Sequence, residues 1–283
     1  MIKLLTVIGH GHKLIPHFIK HYQQYVDEIQ IVVYESEISP NLKTLVQNEI
    51  ESFTNVKIVK TIKDRIFDWN KVTGLYNFIK TKRPNDWWVI ADIDEFHLYP
   101  NNNLEEIIRN SENNGHEIIR GGFIDRIGVD GDFVKLKDDE LIFNQYPNAG
   151  FFRYPLSKAN PNKICVTKGG IEITSGQHYA KINEQTTWRW QGWNHPLINP
   201  THHVQVHHFK WDSTSIDRIK SVADNDKDYS FSDEYRIMYN SLRKNKFKIN
   251  LDDPLFMFEK SCILGDYEEY TNWNNLINKI KSI

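Results

Sequence analysis

Cysteine is nearly absent: Cys165 and Cys262 are the only two in 283 residues. That excludes a disulfide framework and leads us to expect a reducing compartment, the cytoplasm. No charge of one sign is in surplus either. Lys and Arg number 35 against 37 Asp and Glu, a formal net charge of −2, so the basic surface of a nucleic-acid-binding protein is not expected. No long hydrophobic run is found. The apolar stretch at residues 1–8 stops at Gly9-His10-Gly11-His12; it is too short for the core of a signal peptide or for a membrane span and reads as a first strand. Gly/Ser linkers, low-complexity tracts and internal repeats are missing as well, so one continuous domain is expected.

What is present is an ordinary globular composition, 40% hydrophobic and 25% charged, enough for one large α/β domain or a domain with a smaller appendage. Aromatic residues make up 13%, including eight Trp and thirteen Tyr. Most should be core, although the flat apolar face of a sugar also packs on such rings.

The order of the apolar runs points to the fold class. A strand is expected over Ile2–Ile8 and a helix over residues 13–26, where Leu14, Phe18, Ile19, Tyr22 and Val26 recur at helical spacing. Strands over 29–34, 56–59 and 87–91 alternate with helices over 41–53 and 68–80. Repeated β-α units imply an α/β fold with a mostly parallel central sheet flanked by helices. Beyond residue 96 the pattern loosens: a helix over Leu104–Asn113, a strand over 117–127 containing Gly121-Gly122, and a short strand over 163–167. The Gly pair marks a bulge or a close approach of another backbone. A strand over 204–211 follows, then helices over Ser215–Ala223, 232–242 and 266–280.

The most informative stretch is Trp87-Trp88-Val89-Ile90-Ala91-Asp92-Ile93-Asp94-Glu95-Phe96. It reads as a buried strand running into three carboxylates, and α/β sheets bind ligands outside the carboxyl ends of their strands. Continued extended backbone would point Asp92 and Asp94 the same way. Two such carboxylates repel unless a cation lies between them, and Mg²⁺-like ions are held by one or two carboxylates plus substrate phosphates. The alternative is a strand end followed by a solvated acidic turn.

Four stretches together resemble the GT-A glycosyltransferases, specifically the family-2-like branch with an Asp-x-Asp-Glu-Phe motif. They are residues 13–22, residues 88–96, Phe123-Ile124-Asp125-Arg126 with Asp130-Gly131, and His207-His208-Phe209-Lys210-Trp211. The chain departs from the family where His10-Gly11-His12 replaces the usual Asn-Glu after the first strand. The resemblance implies a GT-A (Rossmann-like) domain with a nucleotide-sugar-binding half at 1–96, an acceptor-side half at 97–211 and a helical extension at 212–283. It also implies a nucleotide-diphosphate sugar donor (a UDP-sugar is favoured), Mn²⁺ or Mg²⁺, and transfer to a saccharide or glycolipid hydroxyl in polysaccharide or glycoconjugate synthesis. Peripheral membrane association is compatible with such acceptors.

Candidate residues follow. The metal candidates are Asp92, Asp94 and His208. Asp94 lies farther beyond the strand and is the better direct ligand, with Asp92 left for a metal-bound water or the ribose. His207 and His208 point to opposite faces of a strand, so one alone can face the metal; the resemblance selects His208, against the alternative of a core histidine. His202-His203, beside Pro200, is expected in a surface loop. Donor binding is assigned to Asp64, Asp68 and Lys71 with Asp92, and acceptor binding to His178 and the Trp188, Trp190, Trp193 loop. An inverting reaction needs a base, for which Asp125, Asp130 and Glu184 are candidates; for Asp125 a structural ion pair with Arg126 ranks higher. Two other classes also come into view. One is a haloacid-dehalogenase-type phosphatase, whose metal carboxylates Asp252-Asp253 would mimic and whose nucleophile would be Asp92. The other is a non-catalytic carbohydrate-binding protein.

Overall fold

The computed structural model describes residues 1–150, 156, 162–182, 185–186, 195–225, 227–229 and 231–252. Glu184, Trp188, Trp190, Trp193, Asp253, Cys262 and the helix expected at 266–280 lie outside the described residues. The described chain falls into two compact units. Of the described residues, one contains those of Met1–Gly122 and Asn162–Val206; the other contains those of Phe123–Pro161 and of His207–Asp252.

In the first unit, strands and helices alternate as β1 (Ile2–Ile8), α1 (Ile15–Tyr22), β2 (Glu28–Glu35), α2 (Leu42–Ile50), β3 (Val56–Lys63), α3 (Trp69–Thr81), β4 (Trp87–Ile90), β5 (Glu95–Leu98) and α4 (Leu104–Asn113). β1 pairs in parallel with β2 and β4, and β2 in parallel with β3. The expected α/β fold with a central sheet flanked by helices is therefore present. Its order begins β3-β2-β1-β4. β1 and β4 are mostly apolar inside, as expected of strands with helices on both faces: Leu4, Leu5, Ile8, Val89 and Ile90 are all completely buried, with Thr6 and Lys3 the buried polar exceptions in β1. The edge strand β3 is only half-buried, and Lys57, Lys60 and Lys63 along it discourage pairing with another chain.

The remaining strands are β6 (Ile118–Ile127), β7 (Asn148–Gly150), β8 (Asn162–Lys168), β9 (Glu172–Ile173), β10 (Ala180–Ile182), β11 (Gln185–Thr186) and β12 (Ile198–His208). The large sheet continues past β4 as β8-β6-β12-β5, while β9, β10 and β11 form a small sheet of their own. β8 runs antiparallel to both β4 and β6. Of the two readings of the Gly pair, the close approach holds, while the sheet's irregularity falls just ahead of the glycines. The β6–β8 register slips between Ile119 and Arg120, and a Cβ on Gly121 would lie 2.2 Å from the Val204 carbonyl oxygen. Only glycine lets these backbones approach so closely.

β6 and β12 each end in the second unit, which also holds α5 (Ile142–Gln145), α6 (Ser215–Ala223) and α7 (Ser232–Lys244). Its core gathers Ile127, Trp211, Ile219, Met238, Leu242 and Ile249. α6 and α7 supply this cluster from one apolar face each; burying a side chain of this size contributes about 1.5–3 kcal/mol.

Candidate active site

In an open parallel sheet the ligand crevice lies where the strand order reverses, beyond the carboxyl ends of the strands on either side. Here the order reverses between β1 and β4, which places Gly9-His10-Gly11 and Ala91-Asp92 at that point. The backbone there departs from the extended form expected from sequence. β4 stops at Ile90, and the Glu95 N–H donates to the Asp92 carbonyl at 2.9 Å, closing a tight turn over Asp92-Ile93-Asp94-Glu95. Asp92 and Asp94 are thus turn residues rather than alternating positions of one strand. The reason is local: Glu95 turns inward and its carboxylate accepts from the Asp92 N–H at 3.3 Å, so the turn is held from both ends.

A buried network fixes the turn. Lys163, at the start of β8, donates to Glu95 Oε1 at 2.8 Å, and both side chains are 2% exposed. The same ammonium lies 3.8 Å from Asp92 Oδ2. Gln177 Nε2 donates to Asp92 Oδ1 at 2.9 Å, and Tyr76, from α3, reaches that oxygen at 3.4 Å while accepting from the Val7 N–H of β1 at 3.0 Å. Burial, then the Asp92 charge, pushes the Tyr76 hydroxyl well above its usual range, so it stays a donor. On the other side Tyr22 of α1 donates to the Glu95 carbonyl at 2.9 Å. Asp92 and Glu95 both pair with Lys163, and Asp94 is half-buried on the same turn.

The donor candidates form a second group at the ends of β2 and β3. Asp64 accepts from Tyr34 at 3.1 Å and pairs with Lys71. The Lys71 ammonium holds the Asp64 carboxyl below its usual range, and Asp64 in turn raises Lys71. Burial and Asp64 raise the Tyr34 hydroxyl to about 12. Asp68 caps α3, accepting from the Asn70 and Lys71 N–H groups at 2.8 and 3.4 Å. Without Asp64 and Asp68 the first turn of α3 would lose its cap and the side-chain link from Lys71 through Asp64 to Tyr34 of β2.

The second unit separates the two histidines as strand alternation requires. His208 Nδ1 is 3.0 Å from Asp125 Oδ1 and its ring packs on Phe123. His207 Nδ1 instead accepts from Arg126 Nε at 2.8 Å, beside Phe143. The ion pair expected between Asp125 and Arg126 does not form, because adjacent strand residues face opposite ways. Asp125 turns to His208 and to Trp211, whose Nε1 donates at 3.2 Å; Arg126 turns to His207 and the carbonyls of Tyr146 and Pro147. With Nδ1 committed to a carboxylate, any role of His208 as a ligand falls to Nε2, the arrangement usual for metal-binding histidines.

Other expectations come out differently. His202 and His203 lie within β12 rather than in a surface loop, and His203 is buried beside Arg120, with 3.5 Å between Nε2 and Nη2. Near the start of this strand Asn199 accepts from the Thr201 and His202 N–H groups. β12 ends at His208, so Phe209-Lys210-Trp211 lies beyond it. His178 is held by the Asn162 carbonyl at 2.7 Å. Asp130 sits exposed on a turn with φ 55°. Among the described residues no group of three or more His, Cys, Asp or Glu side chains is drawn together as a metal-holding cluster. Sequence reasoning missed Lys163, Gln177 and Tyr76. A lysine in the apolar strand 163–167 was the one available signal.

The chain matches no protein-family model, and no curated protein matches it. Among solved structures it is similar to the mannosyltransferase PcManGT from Pyrobaculum calidifontis in complex with GDP-Man and Mn²⁺, at 12% identity over 98% of this chain and 84% of that one, TM-score 0.40. It is also similar to S. aureus TarS, at 10% identity over 90% of this chain and 76% of that one, TM-score 0.35. A 4-diphosphocytidyl-2C-methyl-D-erythritol synthase shares 12% identity over 60% of this chain and 75% of that one, TM-score 0.32. Among the described residues no helix is long and apolar enough to cross a membrane.

Proposed function

We propose that the chain is a GT-A-type, metal-dependent glycosyltransferase that moves a sugar from a nucleotide-diphosphate sugar, with a UDP-sugar the first to test, to a saccharide or glycolipid hydroxyl. The observation that supports this most is the acidic turn at the point where the sheet order reverses. It gathers three carboxylates, and Asp92 has one oxygen tied down while the other stands 3.8 Å from Lys163, beyond hydrogen-bond length. Carboxylate oxygens with spare lone pairs suit a hard cation such as Mg²⁺ or Mn²⁺. When bound, the cation would supply Lewis-acid stabilisation of the charge that grows on a diphosphate leaving group.

In this reading Asp94 and Asp92 hold the cation, and His208 is a ligand candidate on the strength of its own ring. Asp64, Asp68 and Lys71 line the approach of the nucleotide. Asp125 is committed to His208 and Trp211, so the general base to test is Asp130 or Glu184. His178, Trp188, Trp190 and Trp193 are proposed on the acceptor side. The test is a thermal-shift panel of nucleotide sugars with and without Mn²⁺. One donor at a hundred times its dissociation constant should add about 2.7 kcal/mol of stability, and the shift should need Mn²⁺. No Mn²⁺-dependent shift, together with turnover of a generic phosphate ester, would replace this reading with a phosphatase.

A further inference from the structure

Gln177 lies on the turn before β10, far along the chain from Asp92, yet the residue is 1% exposed and its side chain ends at that carboxylate. Its backbone is left-handed, φ 59°, and follows Gly176 at φ 71°. A residue with a long side chain adopts that conformation at a cost unless its surroundings hold it there. The surroundings are Lys163 and the body of α3. Lys163 Nζ donates to the Gly176 carbonyl at 3.0 Å and to Gln177 Oε1 at 2.7 Å. Ser175 donates to Asn70 Oδ1 at 3.1 Å.

The orientation of the amide follows from chemistry. An ammonium only donates, so the oxygen of Gln177 must face Lys163 and its NH₂ must face Asp92. The NH₂ then occupies Oδ1, along with Tyr76. The carboxylate cannot rotate without breaking both contacts. Lys163 is itself fixed by Glu95, which closes the turn that carries Asp92. The chain therefore runs Glu95, Lys163, Gln177, Asp92, each member buried or half-buried and each polar contact directional.

We infer that Gln177 is a positioning residue for the cation site: locked between Lys163 and Asp92, it holds Asp92 Oδ1 inward so that Oδ2 is presented to a divalent ion. The inference rests on the metal-dependent reading above. Groups that orient a metal's ligands from behind typically change metal affinity about 10- to 100-fold when removed.

The experiment titrates Mn²⁺ into the whole chain in the presence of whichever of UDP, GDP or CDP shifts the wild type most, reading half-saturation from the melting temperature. Gln177→Asn keeps an amide and suits a left-handed backbone but is one carbon too short to span both partners; Gln177→Met keeps the length and loses the N–H. Both should raise half-saturating Mn²⁺ about tenfold or more. Asn77→Ala is the structural control. It removes the two hydrogen bonds that tie Ile173 of the same segment to α3, and should lower the melting temperature while leaving half-saturating Mn²⁺ unchanged. Wild-type Mn²⁺ dependence with no change in either Gln177 variant overturns the inference and leaves the proposed function standing. An equal change in Asn77→Ala also overturns it, since any loosening of the segment would then suffice. A wild type with no Mn²⁺-dependent shift removes both.

Discussion

Asp92 and Asp125 are the same residue type in nearly the same bonding pattern, and they differ in what they can still do. Each takes two donors on Oδ1: Gln177 and Tyr76 at 2.9 and 3.4 Å for Asp92, His208 and Trp211 at 3.0 and 3.2 Å for Asp125. The Asp92 side chain is 20% exposed, that of Asp125 2%. Depth separates them. A carboxylate at a turn on a sheet rim can be braced on one oxygen and still meet a ligand. A carboxylate sealed among Phe123, His208 and Trp211 serves to orient its neighbours.

The largest effect that tests this contrast is expected on the acidic turn. Asp94→Ala should reduce transfer to background and remove the Mn²⁺-dependent thermal shift of the preferred donor; retained Mn²⁺-dependent donor binding would take Asp94 out of the ligand set. Next comes the histidine pair. His208→Ala should lower turnover steeply, with partial recovery at high Mn²⁺, whereas His207→Ala should lower the melting temperature and spare turnover per folded molecule. Metal-titrated activity corrected for folded fraction separates the two, and a rescuable defect in His207→Ala alone would reverse their roles.

A smaller effect, on stability, is expected at Asp125. Asp125→Ala leaves the Trp211 N–H and the His208 ring without their acceptor, at about 1–3 kcal/mol for each buried group. Urea denaturation should show this loss. If the variant were as stable as the wild type and lost transfer completely, Asp125 would be acting as a base and the contrast with Asp92 would collapse.

The last effect, spread over several pH units, concerns two buried lysines that differ in the same way. Lys163 is matched by carboxylates, while Lys80 is held by the Thr167 hydroxyl and the Ile171 carbonyl. Burial lowers Lys80 from 10.5 to about 7. Its folded value is depressed, so between about pH 7 and 10.5 the unfolded chain binds the extra proton and stability rises with pH. The slope from this one group is at most about 1.4 kcal/mol per pH unit. Lys80→Met should flatten the rise relative to wild type in denaturation curves at pH 7, 8.5 and 10. An unchanged slope would show that Lys80 stays charged.

Much of the fold was legible because burial imprints a period on the chain. Helix Leu104–Asn113 and helix Ser215–Ala223 were read with their observed limits, since each places apolar residues on one face. β1 and β4 were legible as apolar runs, and Gly121 as a close approach. The short strands β5, β9, β10 and β11 were not, because segments of two to four residues carry no period to detect. The bend at Asp92–Glu95 escaped for a similar reason: Glu95 faces inward only because Lys163 is there to receive it.

The sequence by itself therefore determined the alternation of strands and helices, the parallel start of the sheet, the acidic motif at a strand end, and the opposite facing of His207 and His208. Each depends on neighbours within a turn or a strand, where the backbone geometry is repetitive. Only the tertiary structure decided which partner each polar side chain takes. Gln177 reaches Asp92 across 85 positions of chain, and His208 reaches Asp125 across 83. No local pattern encodes such pairings. They arise when apolar packing brings distant segments together and every buried polar group must then find a partner among those left beside it.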